Sequence, residues 1–137
     1  MPYRLIDHTA DFGIEVFAGD AGALFSEAAR AMFDQVVDRR RLDGEGRRPV
    51  AVTGTDWTDL MVNWLRELLY LWNGERILVR RVAIHGIASD RISATALVDK
   101  FDPARHDIES EIKAVTYHQA RVVPGPGRWS ARVIFDV

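Results

Sequence analysis

The sequence contains no cysteine. Disulfides, thiolate metal sites and thiol redox chemistry are therefore excluded. It has no long unbroken apolar run either. Its greasiest stretch, Leu60 to Trp72, is interrupted by Asn63, Arg66 and Glu67, and is too short and too charged to span a bilayer. Charge of one sign is also scarce: 18 Lys+Arg against 20 Asp+Glu leave a net charge of -2. Such a chain has no global positive field for nucleic acid, so any RNA contact comes from a local patch or through a partner. The glycines form no phosphate-binding loop or dinucleotide fingerprint. No nucleophile elbow, His-Glu-x-x-His run or zinc spacing occurs. The opening residues, Met1 to His8, turn polar before any signal-type apolar run develops. Together these absences predict a cytoplasmic protein with no membrane partner.

What is present is ordinary globular material: 137 residues, 47% hydrophobic and 28% charged. That length suits a single domain over 1–137. Roughly two-thirds of the unfolded surface is buried at this size, so the fold needs no disulfide or metal staple.

Gly13 to Phe17 alternates at its centre and is rich in strand formers, predicting a strand ended by Gly19-Asp20. Leu24, Phe25, Ala28, Ala29, Met32, Phe33, Val36 and Val37 then fall on one face of a helix over about 21–38, with Asp20 as its N-cap. Residues 38–49 read as a charged loop holding five arginines against three acids. Val50 to Gly54 reads as a short strand. A second helix from about Asp56 carries Trp57, Leu60, Met61, Trp64, Leu65, Leu68, Leu69 and Trp72, and Asn73-Gly74 stops it. The tryptophans at helical spacing read as core. Four strands follow, Ile77 to Ile87, Arg91 to Phe101, Ile112 to Val123 and Trp129 to Val137, with a polar segment at 102–110. This order predicts an α+β fold, with two helices packed on one face of a mostly antiparallel β-sheet.

Three constellations carry chemistry. Asp7-His8-Thr9-Ala10-Asp11 places two carboxylates and an imidazole within five residues. A hard divalent cation accepts such oxygen ligands, and a polar turn capped by Asp and Thr side chains accounts for them equally. At the other end, Asp136 follows an apolar strand. If the chain ends at Val137, its α-carboxylate joins Asp136 in an anionic pair suited to magnesium or calcium; a solvated strand end is the plainer reading. Third, Glu111 to His118 contains Lys113, Tyr117 and His118. On a strand, Lys113, Val115 and Tyr117 share one side and Ile112, Ala114, Thr116 and His118 the other. Lys with Tyr and His points to phosphate or nucleotide contact, or to an exposed strand lysine beside a histidine near a sheet edge.

These segments taken together resemble the archease family. The resemblance is carried by Asp7-His8-Thr9-Ala10-Asp11 with Gly13, by Leu24-Phe25 through Ala31-Met32-Phe33, and by Leu65-Arg66-Glu67-Leu68-Leu69. It continues through His106, Ile112-Lys113-Ala114-Val115-Thr116-Tyr117-His118, Trp129 and Phe135-Asp136-Val137. It runs nearly end to end. Two departures stand out. Asp99-Lys100 occupies the place where the family commonly has Gly-Glu, and the arginine-rich loop has no familiar counterpart.

The resemblance implies a non-catalytic cofactor of an RtcB-type RNA ligase, active in tRNA splicing or RNA repair. The ligase joins RNA through a guanylylated histidine, using GTP and manganese; archease promotes guanylylation and multiple turnover. RNA is met indirectly, through the ligase. The family also implies a divalent metal, calcium, held by Asp11, Asp136 and Val137. Asp7, His8, Lys113 and His118 are the matching candidates for acting on the ligase. Two other classes compete: a metal-dependent phosphoesterase using Asp11, Asp136 and His8, and a chaperone or RNA-binding module using the arginine loop.

Overall fold

The computed structural model describes residues 2–7 and 11–137, apart from the side chains of Asp7 and Asp11. Strands β1 (Tyr3–Asp7) and β2 (Asp11–Ala18) lead into helix α1 (Ala21–Val36). Then come β3 (Gly46–Thr53), helix α2 (Trp57–Glu75), β4 (Ile77–Ala88), β5 (Arg91–Lys100), β6 (Ala114–Val123) and β7 (Trp129–Asp136). The α+β class and the two helices are as predicted. The strands, however, form two antiparallel sheets rather than one, in the orders β1-β2-β7-β6 and β3-β5-β4. Each helix packs against strands of both sheets. A helix that must bury itself on two sides needs a wide apolar face, which is why both show one.

Helix α1 starts where Asp20 Oδ1 accepts from the Ala23 amide at 2.8 Å. Helix α2 starts with a pair of caps: Asp56 Oδ1 accepts from Asp59 N, and Asp59 Oδ2 accepts from Thr55 N, each at 2.8 Å. These carboxylates satisfy amides that have no partner inside the helix. The expected stop at Asn73-Gly74 is passed, and α2 ends on Arg76 in the left-handed region at φ 56°. Both residues serve packing instead. Asn73 Nδ2 donates to Ile112 O at 2.9 Å, and the Tyr70 ring lies where a Gly74 Cβ would stand.

The core lies between the sheets. Trp64 is fully buried and donates its Nε1–H to Phe25 O at 2.9 Å, tying α2 to α1. Trp57 meets Trp129 edge-on at 4.9 Å, and Trp72 meets Phe101 at 5.3 Å. The tryptophans are thus packing residues. Burying a large apolar side chain contributes about 1.5–3 kcal/mol, so this layer dominates the favourable side of folding.

Other boundaries differ from expectation for local reasons. Strand β1 escapes the sequence pattern, because Tyr-Arg-Leu-Ile-Asp does not alternate and lies on a sheet edge with Leu5 exposed. The charged loop is partly structured: Arg39–Arg41 forms a single 3-10 turn, and Gly46 to Pro49 already belong to β3.

Candidate functional site

Four strand ends of the β1-β2-β7-β6 sheet meet at one corner. Asp7 ends β1 opposite Phe12, Asp11 opens β2 opposite Asp136, and Ala114 opens β6 opposite the same Asp136. Directly opposed residues of an antiparallel pair have Cα atoms about 4.5–5.5 Å apart. The first and last strands of the sequence motifs are therefore ladder neighbours, and the backbones of Asp11 and Asp136 lie side by side. Tilted contact between Phe12 and Phe135, at 5.5 Å, packs the next rung.

Lys113 joins this corner from the position just before β6. Its amide donates to Asp136 O at 2.8 Å, and its side chain is exposed. Val137, 44% exposed, follows directly. Asp136 is exposed as well. An aspartate and a lysine whose backbones meet at a solvent-facing edge are residue types suited to a hard cation and to an anionic partner group. Among the described residues, no three or more His, Asp or Glu side chains are grouped to hold a metal. The Asp7 and Asp11 side chains and all of His8 lie outside the described residues.

His118 is not at the corner. It lies four residues beyond Ala114, about 13 Å along the strand at a rise of about 3.3 Å per residue. Pairing of β6 with β7 breaks between Thr116 and Arg121, and Gln119 has φ 55°. His118 is exposed, and its amide donates to Thr116 Oγ1 at 3.3 Å. The expected strand sides also need correction, because β6 starts at Ala114. Ile112 and Lys113 precede it, Ile112 buried and Lys113 exposed.

Tyr117 builds a cluster that the sequence did not reveal. Its hydroxyl donates to Asp59 Oδ1 at 2.6 Å, and the Arg66 guanidinium lies 4.6 Å from its ring centroid. Arg66 Nε also donates to Val115 O at 3.0 Å. The Tyr117 hydroxyl, followed by the Thr55 amide, holds the Asp59 carboxyl below its usual range. The same bond pushes the Tyr117 phenol up, with burial adding to it, so this tyrosine is a donor rather than a base. Asp59 and Arg66 stand about two helical turns apart on α2, and only the docking of β6 brings them to one ring.

A second unforeseen site surrounds His106. The imidazole is buried, and its Nδ1 accepts from Asp102 N at 3.0 Å. A neutral ring then carries its proton on Nε2, which faces Asp99 Oδ2 at 3.6 Å. Asp99 in turn accepts from Asp43 N at 2.7 Å and Gly44 N at 2.6 Å. Asp99, at the departure from the family pattern, thus anchors the charged loop. A cavity of about 550 Å³ opens beside it, lined in part by Glu45, Glu75, Arg105 and His106.

The model of the Archease protein family matches residues 3–137, all but the first two residues of the chain. This chain belongs to the archease family. Protein archease of Methanosarcina mazei is 34% identical over 139 residues, covering 98% of this chain and 95% of the relative. Protein archease of Methanopyrus kandleri is 31% identical over 140 residues, with both chains fully covered. In three dimensions the chain is similar to the solution structure of Methanobacterium thermoautotrophicum protein 1598, with a TM-score of 0.82, 28% identity and 99% of each chain covered. A Thermotoga maritima crystal structure, described as an archease and "possible chaperone", shares the fold at a TM-score of 0.67 and 19% identity, covering 96% of this chain and 94% of that one. Of the residues that carry the resemblance, Asp7, Asp11, Lys113 and Asp136 have their backbones at the corner, whereas His106, His118 and Trp129 lie elsewhere. No helix among the described residues is long and apolar enough to cross a membrane.

Proposed function

We propose that this chain is a non-catalytic cofactor of an RtcB-type RNA ligase, promoting guanylylation of the ligase from GTP with manganese and sustaining its turnover. Archease family membership over residues 3–137 supports the reading, and one structural observation carries it: strand register gathers Asp11, Asp136 and Lys113 at a single exposed corner. In this reading a divalent cation, calcium, is held by Asp11, Asp136 and, where the chain ends at Val137, its carboxylate. Bound there, the cation supplies positive charge among the carboxylates. Lys113 presents an ammonium for a phosphate or carboxylate of the ligase cleft, a charge-assisted contact of the stronger kind. Asp7 ends the neighbouring strand and extends the acidic corner; His8 follows it in sequence, and His118 serves further along β6. The RNA ends are joined on the ligase, in the cytoplasm.

The test is guanylylation and multiple-turnover joining by a cognate ligase, with and without the chain. Stimulation that is lost in Asp136→Ala supports the reading. Unchanged ligase kinetics at equimolar chain refute it, and RNA cleavage or phosphate release by the chain alone with metal would put an enzyme in its place.

A further inference from the structure

The β3-β5-β4 sheet buries Val50, Ala94 and Val82 toward the helices, and its alternate residues form a second, outward face. Among the described residues, no helix is placed on that outward face. Four cross-strand rows, from Thr53-Arg91-Ala88 to Arg47-Leu97-Arg81, contain no acidic side chain; the next row on that face holds Asp99, whose carboxylate is taken up by the Asp43 and Gly44 amides. Arg47 and Arg81 flank Leu97 in one end row, and Arg91 lies in the row at the other end. Six residues of strand separate those rows, about 20 Å. Ser93 and Thr95 lie between, and exposed His85 bonds Thr95 Oγ1 at 2.7 Å.

The arginines of this region divide into two groups. Arg39 is paired with Asp34, Arg40 with Asp38 at 2.9 Å, and Arg48 with Glu75 at 2.6 Å. Arg47 and Arg81 are exposed, with no acidic partner within 4.0 Å among the described residues. Arg91 has only its chain neighbour Asp90, at 4.0 Å, with its side chain 74% exposed. Acids of α1 and α2 and the loop acid Asp38 thus take up Arg39, Arg48 and Arg40, while Arg47, Arg81 and Arg91 leave positive charge on the outward sheet face.

We infer that this face binds the phosphate backbone of an RNA strand. A protein interface needs large apolar or aromatic anchors at its centre, and this face offers small and hydroxylated residues there. Guanidinium groups spread over about 20 Å, with hydroxyl and imidazole donors between them, suit a linear polyanion held through phosphate and sugar. The choice of RNA among polyanions rests on the ligase reading above. The face lies on the other sheet from the acidic corner, so one chain has separate surfaces for ligase and RNA.

Anisotropy of a labelled 20-nucleotide RNA, titrated with the full chain between 50 and 200 mM salt, tests this. Binding should weaken steeply with salt. The triple variant Arg47→Gln, Arg81→Gln, Arg91→Gln should bind at least about tenfold more weakly at low salt and flatten the log–log salt slope by about 2, since each phosphate left without its arginine removes about 0.7. Arg4→Gln, Arg121→Gln, Arg128→Gln, on the other sheet and the turn leading into its β7, with the same change in charge, should leave that slope nearly intact. Thermal melts check both folds. Should the triple variant not fold, single Arg47→Gln and Arg91→Gln variants should each flatten the slope by about 0.7. No RNA binding by the wild type, equal weakening in both triples, or displacement of RNA by polyglutamate as readily as by unlabelled RNA overturns the inference. RNA is no reactant in guanylylation, so the Arg47, Arg81, Arg91 triple should still stimulate that step. A wild type that binds RNA but never stimulates it would sink the ligase reading alone.

Discussion

Gly13→Ala is a small change with a large expected effect. Gly13 lies on β2, two residues from Asp11, opposite Ile134 of β7. A Cβ there would stand 2.5 Å from Val133 O and 2.6 Å from Ile134 Cδ1. The isoleucine methyl can turn away, but the Val133 carbonyl is fixed in the ladder between β2 and β7. The strands must therefore separate locally by several tenths of an ångström. Overpacking of this kind costs about 1–3 kcal/mol. A central value of about 2 kcal/mol corresponds to a fall of about 6–10 °C in Tm for a domain of this size. Gly19→Ala is the matched control, because nothing lies within 4 Å of the added methyl. It should be neutral or slightly stabilising, by up to about 1 kcal/mol through the unfolded chain. Urea unfolding at constant m-value, with melting followed by circular dichroism, compares the two. A Gly13→Ala variant as stable as Gly19→Ala would refute the close-approach argument and the register on which the corner depends.

Lys113→Ala should change stability by no more than about 0.5 kcal/mol, since the side chain is exposed and its amide bond to Asp136 O survives, yet ligase stimulation should fall sharply. Equal stimulation in the variant would remove Lys113 from the site. Asp136→Ala, Asp11→Ala and a chain extended beyond Val137 should each weaken calcium binding measured by calorimetry. Unimpaired binding by the extended chain would show that Val137 supplies no carboxylate. Tyr117→Phe should raise the Asp59 pKa toward the usual carboxylate value, because the hydroxyl is the largest cause of its depression. A depressed carboxyl stabilises the fold fully above its unfolded-state pKa and loses that contribution as pH falls through the folded value. The variant should therefore lose it at a higher pH than the wild type. Carboxyl NMR titration reads the shift directly, and an unmoved Asp59 would assign the depression to the Thr55 amide instead.

The helices were legible because burial against two sheets writes a long apolar periodicity; Leu24 through Val36 and Leu60 through Trp72 left little choice. Most strands were legible from alternation. What alternation does not encode is partner choice, so the division of seven strands into two sheets was hidden. The pairing of β2 with β7, which joins opposite ends of the sequence, was legible only through the resemblance, which puts Asp11 and Asp136 in one ligand set. The site shows the same limit. Asp11, Lys113 and Asp136 were identifiable by resemblance, but their meeting depends on register across three strands. The Tyr117 cluster was illegible because Asp59 and Arg66 stand about two turns apart on α2 and share no motif with Tyr117 until β6 docks on them. Asp99 looked like a departure from pattern and is an anchor for the Asp43-Gly44 backbone. The arginine loop read as one charged tract, whereas ion pairing separates Arg39, Arg40 and Arg48 from Arg47.

Ligase guanylylation in the presence of GTP and manganese, followed with radiolabelled nucleotide, addresses the central claim without RNA in the reaction. Substoichiometric chain should raise the rate and extent of ligase labelling while remaining unlabelled itself, and Asp136→Ala and Lys113→Ala should abolish the gain while retaining their folds. Labelling that is the same with wild type, with either variant and with no chain at all would contradict the account.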